Sequence, residues 1–271
     1  MTTPASGDLA QLLKVLSSFD RLVVAFSGGV DSGLLAWAAN QALGPDRCIA
    51  ATAVSPSLSP SELDDCRRLG SLWGLRWQAV QTDEASRPGY TANGPDRCYH
   101  CKSELMDRLA PIAEAERAHI ALGVNVDDLD DHRPGQKAAR EQGAAFPLVE
   151  AGLTKAAVRR AARDAGLDIW DKPAAACLAS RVPYGTEVTL STLSRVARAE
   201  EALKGLGYRD LRVRHYGDLA RLELTGGDLE TAVADRRRIV DAVRAAGYRY
   251  VTLDLEGLRS GNLNAAFLEG R

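Results

Sequence analysis

Over its first two thirds the chain alternates short apolar runs with longer stretches whose apolar residues recur at helical spacing. Residues 21–26 (RLVVAF), 48–54 (CIAATAV), 76–81 (RWQAVQ) and 119–124 (HIALGV) read as strands, since brief apolar runs of this kind suit a buried sheet. Between them, residues 33–42 (GLLAWAANQA), 59–70 (SPSELDDCRRLG) and 102–116 read as helices. The second of these opens on a helix-start signature: Ser59 as cap, Pro60 at the first position and Glu62 three residues beyond the cap. Repeated strand–helix units predict an α/β fold, a parallel sheet with helices on both faces, whose ligands lie beyond the carboxyl ends of the strands.

The pattern changes near residue 183. From there the chain reads as a helix at 187–206, a hairpin from 211–216 (LRVRHY) and 219–224 (LARLEL), a helix at 229–246, and a last strand at 250–255 (YVTLDL). That order predicts a second, smaller α+β domain. Domains 1–183 and 184–271 are expected, with a hinge at residues 181–185 (RVPYG).

Composition narrows the range of functions. With 271 residues, 45% hydrophobic and 26% charged, the chain has the make-up of an ordinary globular protein with room for a core. Its 34 basic and 36 acidic side chains leave a net charge of −2, without the cationic surplus that a sequence-independent grip on nucleic acid needs. The opening MTTPASGDLAQLLKVL has neither the positive start nor the apolar core of a secretory signal. No apolar run approaches the roughly 20 residues that span a bilayer. The expectation is a cytoplasmic protein with no membrane partner, and in that compartment thiols stay reduced. The five cysteines therefore read as ligands, catalytic groups or packing residues before disulfides. Cys48, in a strand, and Cys66, in a helix, read as packing.

Residues 25–33 (AFSGGVDSG) follow the first strand and open the first helix. Gly28 and Gly29 let the backbone turn sharply and approach a ligand. Ser27, Ser32 and the amides of the helix N-terminus then offer donors to an anion. No lysine follows the glycines, so this is not the longer loop that ends in Gly-Lys-Ser/Thr. Two glycines alone would be an ordinary strand–helix turn, but SGGVDS in this setting resembles the pyrophosphate loop of the N-type ATP pyrophosphatases. The resemblance implies a PP-loop ATPase domain in which Ser27, Gly28, Gly29 and Ser32 bind the β- and γ-phosphates of ATP. Cleavage between the α- and β-phosphates would then make an adenylate. Asp31 would assist through Mg²⁺, because a carboxylate beside polyphosphate needs a cation between them. Residues 123–128 (GVNVDD) end a strand where that superfamily places polar groups near nucleotide and metal. This makes Asn125 a nucleotide-binding candidate and Asp127 a Mg²⁺ candidate; from the residues alone the stretch reads equally well as a polar turn.

Cys98-Tyr99-His100-Cys101 places two thiols three residues apart. A zinc site, a redox pair, a cluster cradle and coincidence all fit the residues. Zinc wants four closed ligands; with Cys177 as a third, His100 is the candidate fourth, and it points away from both neighbours if the stretch is helical. Residues 172–181 (KPAAACLASR) set Cys177 near Ser180 and Arg181. A guanidinium there favours thiolate and can grip phosphate; the plain alternative is a small buried residue beside a surface arginine. Arg212 and Arg214 project from one face of their strand, which suits a phosphate monoester and equally a solvated sheet face.

Several stretches occur in order: SGGVDS, GVNVDD, Arg133-Pro134-Gly135, Pro147-Leu148 before a helix from Thr154, Trp170, Lys172-Pro173, Cys177, Ser180-Arg181 and Asp254-Leu255-Glu256-Gly257. Together they resemble the LarE family of ATP-dependent sulfur transferases over nearly the whole chain. The resemblance implies that a carboxylate of pyridinium-3,5-biscarboxylic acid mononucleotide is adenylylated and its oxygen replaced by sulfur, on the way to the nickel-pincer cofactor of lactate racemase. It further implies a homo-oligomer, Ser180, Arg181, Arg212 and Arg214 on the substrate phosphate, and Glu200 and Glu223 as metal ligands. In single-cysteine members the residue matching Cys177 gives up its own sulfur and becomes dehydroalanine. This chain departs from that pattern by adding Cys98 and Cys101. Three cysteines leave one iron of a [4Fe–4S] cluster without a protein ligand, free to carry a sulfide to the adenylate, as in three-cysteine relatives and the iron–sulfur tRNA thiolases of the superfamily. Four alternatives stay open: a sacrificial Cys177, a tRNA thiolase (which would need a basic surface or an RNA-binding domain), an ammonia-using synthetase, and a non-catalytic nucleotide-binding module.

Overall fold

The computed structural model describes residues 7–129, 134–173 and 176–259. Arg133, Ala174 and Ala175, which belong to stretches named above, lie outside the described residues. Strands β1 (Leu22–Ala25), β2 (Cys48–Val54), β3 (Arg76–Gln81) and β4 (His119–Leu122) form a wholly parallel sheet in the order β3–β2–β1–β4. The fold is the expected α/β class, and each strand falls where the apolar runs predict it.

Alternation along β1 explains the layering. Leu22 and Val24 face one side, where they join Leu12, Leu34 and Val158 from the Gly7–Leu16, Val30–Leu43 and Lys155–Asp164 helices. Val23 faces the other side, with Met106 and Leu109 of the Arg97–Glu116 helix. Both faces are covered, so the strand must be apolar at every position. Each fully buried Leu or Val contributes about 1.5–3 kcal/mol relative to exposure. The chain leaves β1 toward β2 and β3 on one side and returns to β4 on the other. The crevice outside the carboxyl ends of β1 and β4 is therefore the topological switch point, where such sheets bind ligands.

The Arg97–Glu116 helix starts earlier than the helix expected over 102–116 and takes in Cys98 and Cys101. Cys, Tyr and His are indifferent helix formers, so the Cys-Tyr-His-Cys stretch carries little local signal. Packing decides it: the Pro134–Glu141 helix lies so close that a Cβ on Gly135 would meet the Cys98 carbonyl at 3.0 Å.

A second sheet has the order β5 (Leu211–Tyr216), β6 (Leu219–Leu224), β7 (Tyr250–Leu253). The first two are the expected antiparallel hairpin, and β7 joins parallel to β6. The Leu190–Gly205 helix is capped by Thr189, whose hydroxyl accepts from Thr192 N at 3.1 Å. The single helix expected over 229–246 is in fact two, Leu229–Ala234 and Arg236–Ala245. The break falls at Asp235, a residue type that competes with helical backbone and favours caps.

By packing, the chain forms two compact units. One is built from the described parts of Met1–Ser55, Glu62–Glu84 and Asp96–Ala175, the other from those of Pro56–Ser61, Ala85–Pro95 and Ala176–Arg271. In the second unit Asn93 is wholly buried, and its Nδ2 donates to the carbonyls of Val182, Pro183 and Thr186 at 3.3, 2.8 and 2.8 Å. Among the described residues no helix is long and apolar enough to cross a membrane.

Candidate active site

Strand β1 hands its chain directly to the loop of residues 27–32. Phe26 N–H still donates to Ala51 O at 2.8 Å, and the Thr52 hydroxyl donates to Phe26 O at 2.8 Å. The backbone then turns at Gly28, whose φ of +70° favours glycine. A Cβ there would also sit 3.0 Å from Cys66 Sγ. Gly29 caps the Val30–Leu43 helix without a side chain, leaving the first-turn amides with no intrahelical acceptor and no side-chain cap. Ser27 N–H donates to Ser32 Oγ at 3.1 Å, and the two hydroxyls lie 3.0 Å apart. A loop of this build offers amides and hydroxyls to an anion.

The end of β4 closes the other side. Gly123 packs its Cα against the backbone of Asp31 and Ser32. Buried Asn125 donates through Nδ2 to Asp31 Oδ1 at 3.1 Å. Lys155 opens the Lys155–Asp164 helix behind the Thr154 cap. Its ammonium ion-pairs with Asp31 Oδ2, and its backbone N–H donates to Asp127 Oδ2 at 2.9 Å. Lys172 reaches the loop separately, donating to Gly28 O at 3.1 Å while pairing with Asp65 at 3.0 Å.

Ser27, Gly28, Gly29, Asp31, Ser32, Asn125 and Asp127 thus gather at the carboxyl ends of β1 and β4. Sequence reasoning did not assign Lys155 or Lys172 to the site. The Thr154 cap marks residue 155 as a helix start, but nothing local ties it to Asp31.

The second unit holds the other candidates. Arg181 donates to Glu200 through Nε (2.8 Å) and Nη2 (3.1 Å), and its Nη1 donates to the Ala176 and Cys177 carbonyls and to Ser180 Oγ. Glu200 Oε1 also accepts from Val213 N at 3.0 Å. On the β5–β6 ladder, Arg212 stands opposite Glu223 and Arg214 opposite Arg221. Glu223, with no exposed surface, accepts from Arg214 at 2.8 Å and Arg221 at 3.0 Å, while Arg214 also donates to Ser180 O at 2.7 Å. Arg212 has no ion pair among the described residues and donates to Arg259 O at 3.1 Å. Burial, then the charges of Arg214 and Arg181, holds its guanidinium below the ordinary arginine value. Arg212 and Arg214 do share a face, as expected, but the Arg181 and Arg214 forks are engaged by Glu200 and Glu223.

No family model matches the chain. It is 47% identical over 259 residues to an uncharacterised protein of Synechocystis sp., covering 94% of this chain and 96% of that protein. An uncharacterised protein of Methanocaldococcus jannaschii is 26% identical over 241 residues, 89% of this chain and 91% of that protein. The pyridinium-3,5-bisthiocarboxylic acid mononucleotide synthase of Lactiplantibacillus plantarum is 37% identical over 256 residues, 94% of this chain and 93% of that protein. The chain belongs to the LarE family.

In this LarE-family chain Cys98 and Cys101 stand at i and i+3 in the first turn of the Arg97–Glu116 helix, one exposed and the other half-buried. That spacing puts both on one side of the helix. Burial holds the neighbouring Lys102 ammonium below the usual lysine value. His100 turns away to Asp96, with Nε2 3.2 Å from Oδ2. Cys177 is exposed in the second unit, ahead of the Leu178–Arg181 turn. Among the described residues no group of three or more His, Cys, Asp or Glu side chains is gathered to hold a metal ion. The chain therefore presents a thiol pair on one unit and a single exposed thiol on the other. The chemistry and spacing of the pair fit two thiolate ligands of an iron–sulfur cluster. Cys48 and Cys66 are buried, and burial raises both thiols, Cys48 to about 12.

Proposed function

We propose that this chain is an ATP-dependent, AMP-forming sulfur transferase acting on pyridinium-3,5-biscarboxylic acid mononucleotide in nickel-pincer cofactor synthesis, as a cytoplasmic homo-oligomer. The observation that carries the reading is the serine–diglycine loop at the switch point of the parallel sheet, in a chain of the LarE family.

In this reading the Ser27 and Ser32 hydroxyls and the first-turn amides of the Val30–Leu43 helix bind the β- and γ-phosphates of ATP. Lys172 fixes the Gly28 carbonyl, which keeps the loop amides turned to the phosphates. Asp31 and Asp127 would hold Mg²⁺, which neutralises polyphosphate charge when bound. A substrate carboxylate oxygen attacks the α-phosphorus, the bond to the bridging oxygen breaks, and pyrophosphate leaves an acyl adenylate. A sulfur nucleophile then adds at the carbonyl carbon and AMP departs. Arg212, the arginine of this face with no carboxylate partner among the described residues, meets the substrate phosphate. Arg181, Arg214 and Ser180 hold the frame around it.

Cys98, Cys101 and Cys177 are assigned to sulfur delivery. A [4Fe–4S] cluster on these thiols would supply an exchangeable sulfide when bound. Anaerobic reconstitution should load about four irons with the broad visible absorption of thiolate-ligated iron. Retention of that spectrum in a Cys98→Ala/Cys101→Ala variant would reject the cluster. The exposure of Cys177 favours a second reading, in which that thiol surrenders its own sulfur. Loss of one H₂S at Cys177 after turnover, seen by mass spectrometry, would select it.

The decisive assay is pyrophosphate release from ATP. Release is expected on adding the biscarboxylate mononucleotide. Release triggered by tRNA instead, or no release with either, would overturn the proposal.

A further inference from the structure

The Lys155–Asp31 ion pair has a consequence beyond loop bracing. Both oxygens of Asp31 already receive donors, Oδ1 from Asn125 at 3.1 Å and Oδ2 from the Lys155 ammonium. Around them lie hard oxygen atoms of the kind that suit Mg²⁺ or Mn²⁺. Asp127 Oδ2 accepts only a backbone N–H, that of Lys155. Asn125 is 2% exposed, and its side chain faces the Asp128 backbone N–H in a capping-box arrangement that falls short of hydrogen-bond geometry at Oδ1. A buried amide oxygen with so poorly placed a donor gains from a better partner.

The lysine itself is poorly placed except for its carboxylate. It is the first residue of its helix, where the helix dipole disfavours a cation. The pair is partly buried, with side-chain exposures of 33% for Lys155 and 21% for Asp31, so its charges are only partly screened. A second positive charge on Asp31 would face the ammonium at close range. The Lys155 backbone N–H stays bonded to Asp127, and Thr154 caps the same turn at Ala157 N, while the four-carbon stem can carry the ammonium elsewhere.

We infer that the Lys155 ammonium and a divalent cation are mutually exclusive partners of the Asp31 carboxylate, so that Lys155 controls cation entry to the phosphate loop. Lysine bound to Asp31 keeps a lone cation out. A polyphosphate supplies anionic oxygens to both; the ammonium moves to phosphate, and Asp31 becomes available as a ligand. Cation affinity and polyphosphate affinity are then coupled, each raising the other by the same factor. The inference rests on the reading of this loop as a metal–nucleotide site, but its test requires neither turnover nor the pyridinium substrate.

The test is titration of Mn²⁺ alone into the full chain, following the free-ion signal by electron paramagnetic resonance. Lys155→Met should bind Mn²⁺ about tenfold or more tightly than wild type, the scale of one neighbouring charge in a partly buried site. Lys155→Arg, which keeps the charge, should stay as weak as wild type. Adding Asp31→Asn to Lys155→Met should abolish the gain. Inorganic pyrophosphate should raise the Mn²⁺ affinity of wild type by a larger factor than that of Lys155→Met. Lys155→Gln gives a second neutral variant should the methionine disturb folding. Equal or weaker Mn²⁺ binding by the neutral variants, or a gain that survives Asp31→Asn, overturns the inference. Pyrophosphate release that fails while these titrations succeed would count against the sulfur-transfer reading alone.

Discussion

Gly123 lies so close to the start of the Val30–Leu43 helix that a Cβ on it would sit 2.7 Å from Ser32 N. The contact is with backbone, which cannot swing aside as a side chain could. Gly123→Ala is therefore expected to push the end of β4 away from the loop of residues 27–32 and carry Asn125 off Asp31. The expected cost is about 1–3 kcal/mol of stability, the range for overpacking, with a disproportionate loss of ATP affinity. Urea unfolding and calorimetric titration with a non-hydrolysable ATP analogue check the two parts.

The Arg214–Glu223 pair is buried at both ends. Removing one partner strands the other charge, so Glu223→Gln should cost about 3–5 kcal/mol. Replacing both with apolar residues of similar volume, Arg214→Met with Glu223→Leu, should recover much of that loss. A double-mutant cycle in urea measures it. Equal instability of the single and double variants would mean that packing around Arg221, rather than the stranded charge, sets the cost.

Asn93 Nδ2 donates its two hydrogens to the Pro183 and Thr186 carbonyls at 2.8 Å each, with Val182 O sharing at 3.3 Å. Asn93→Ala removes the donor of the buried Val182 carbonyl and of two part-buried ones, and a buried acceptor left unpaired costs about 1–3 kcal/mol. The urea midpoint should fall with an unchanged slope, the mark of lost stability without a change in the surface exposed on unfolding.

His215 supplies a pH signature. Burial, then the charge of Arg195, holds its imidazole below the ordinary value of 6.5, with Asp218 opposing. As pH falls past 6.5 the unfolded chain takes up the proton first, so folding stability drops from there to the lower folded value and then levels off. His215→Asn should flatten that part of the stability profile between about pH 7.5 and pH 5. Urea midpoints across the range, wild type against variant, isolate the effect from the other three histidines.

Local sequence determined a good deal of this protein. Brief apolar runs placed the strands of the parallel sheet, most plainly β1, because a strand buried on both faces must be apolar throughout. The Ser-Gly-Gly-Val-Asp-Ser string marked a tight turn between β1 and the next helix, because the backbone at Gly28 takes a positive φ that glycine accepts most easily. The hairpin was legible from alternation alone.

Tertiary structure decided the remainder, through contacts between residues far apart in the chain. The first turn of the Arg97–Glu116 helix, with its two thiols, depends on packing against Gly135 more than on helix propensity. Alternation put Arg212 and Arg214 on one face, yet only the fold shows Arg214 committed to Glu223 and Arg212 without an ion pair among the described residues. Lys155 lies 124 positions from Asp31 and carries no motif of its own. Period and propensity describe neighbours along the chain, whereas a charge finds its partner through space, so the electrostatics of the site emerged only when the chain had folded.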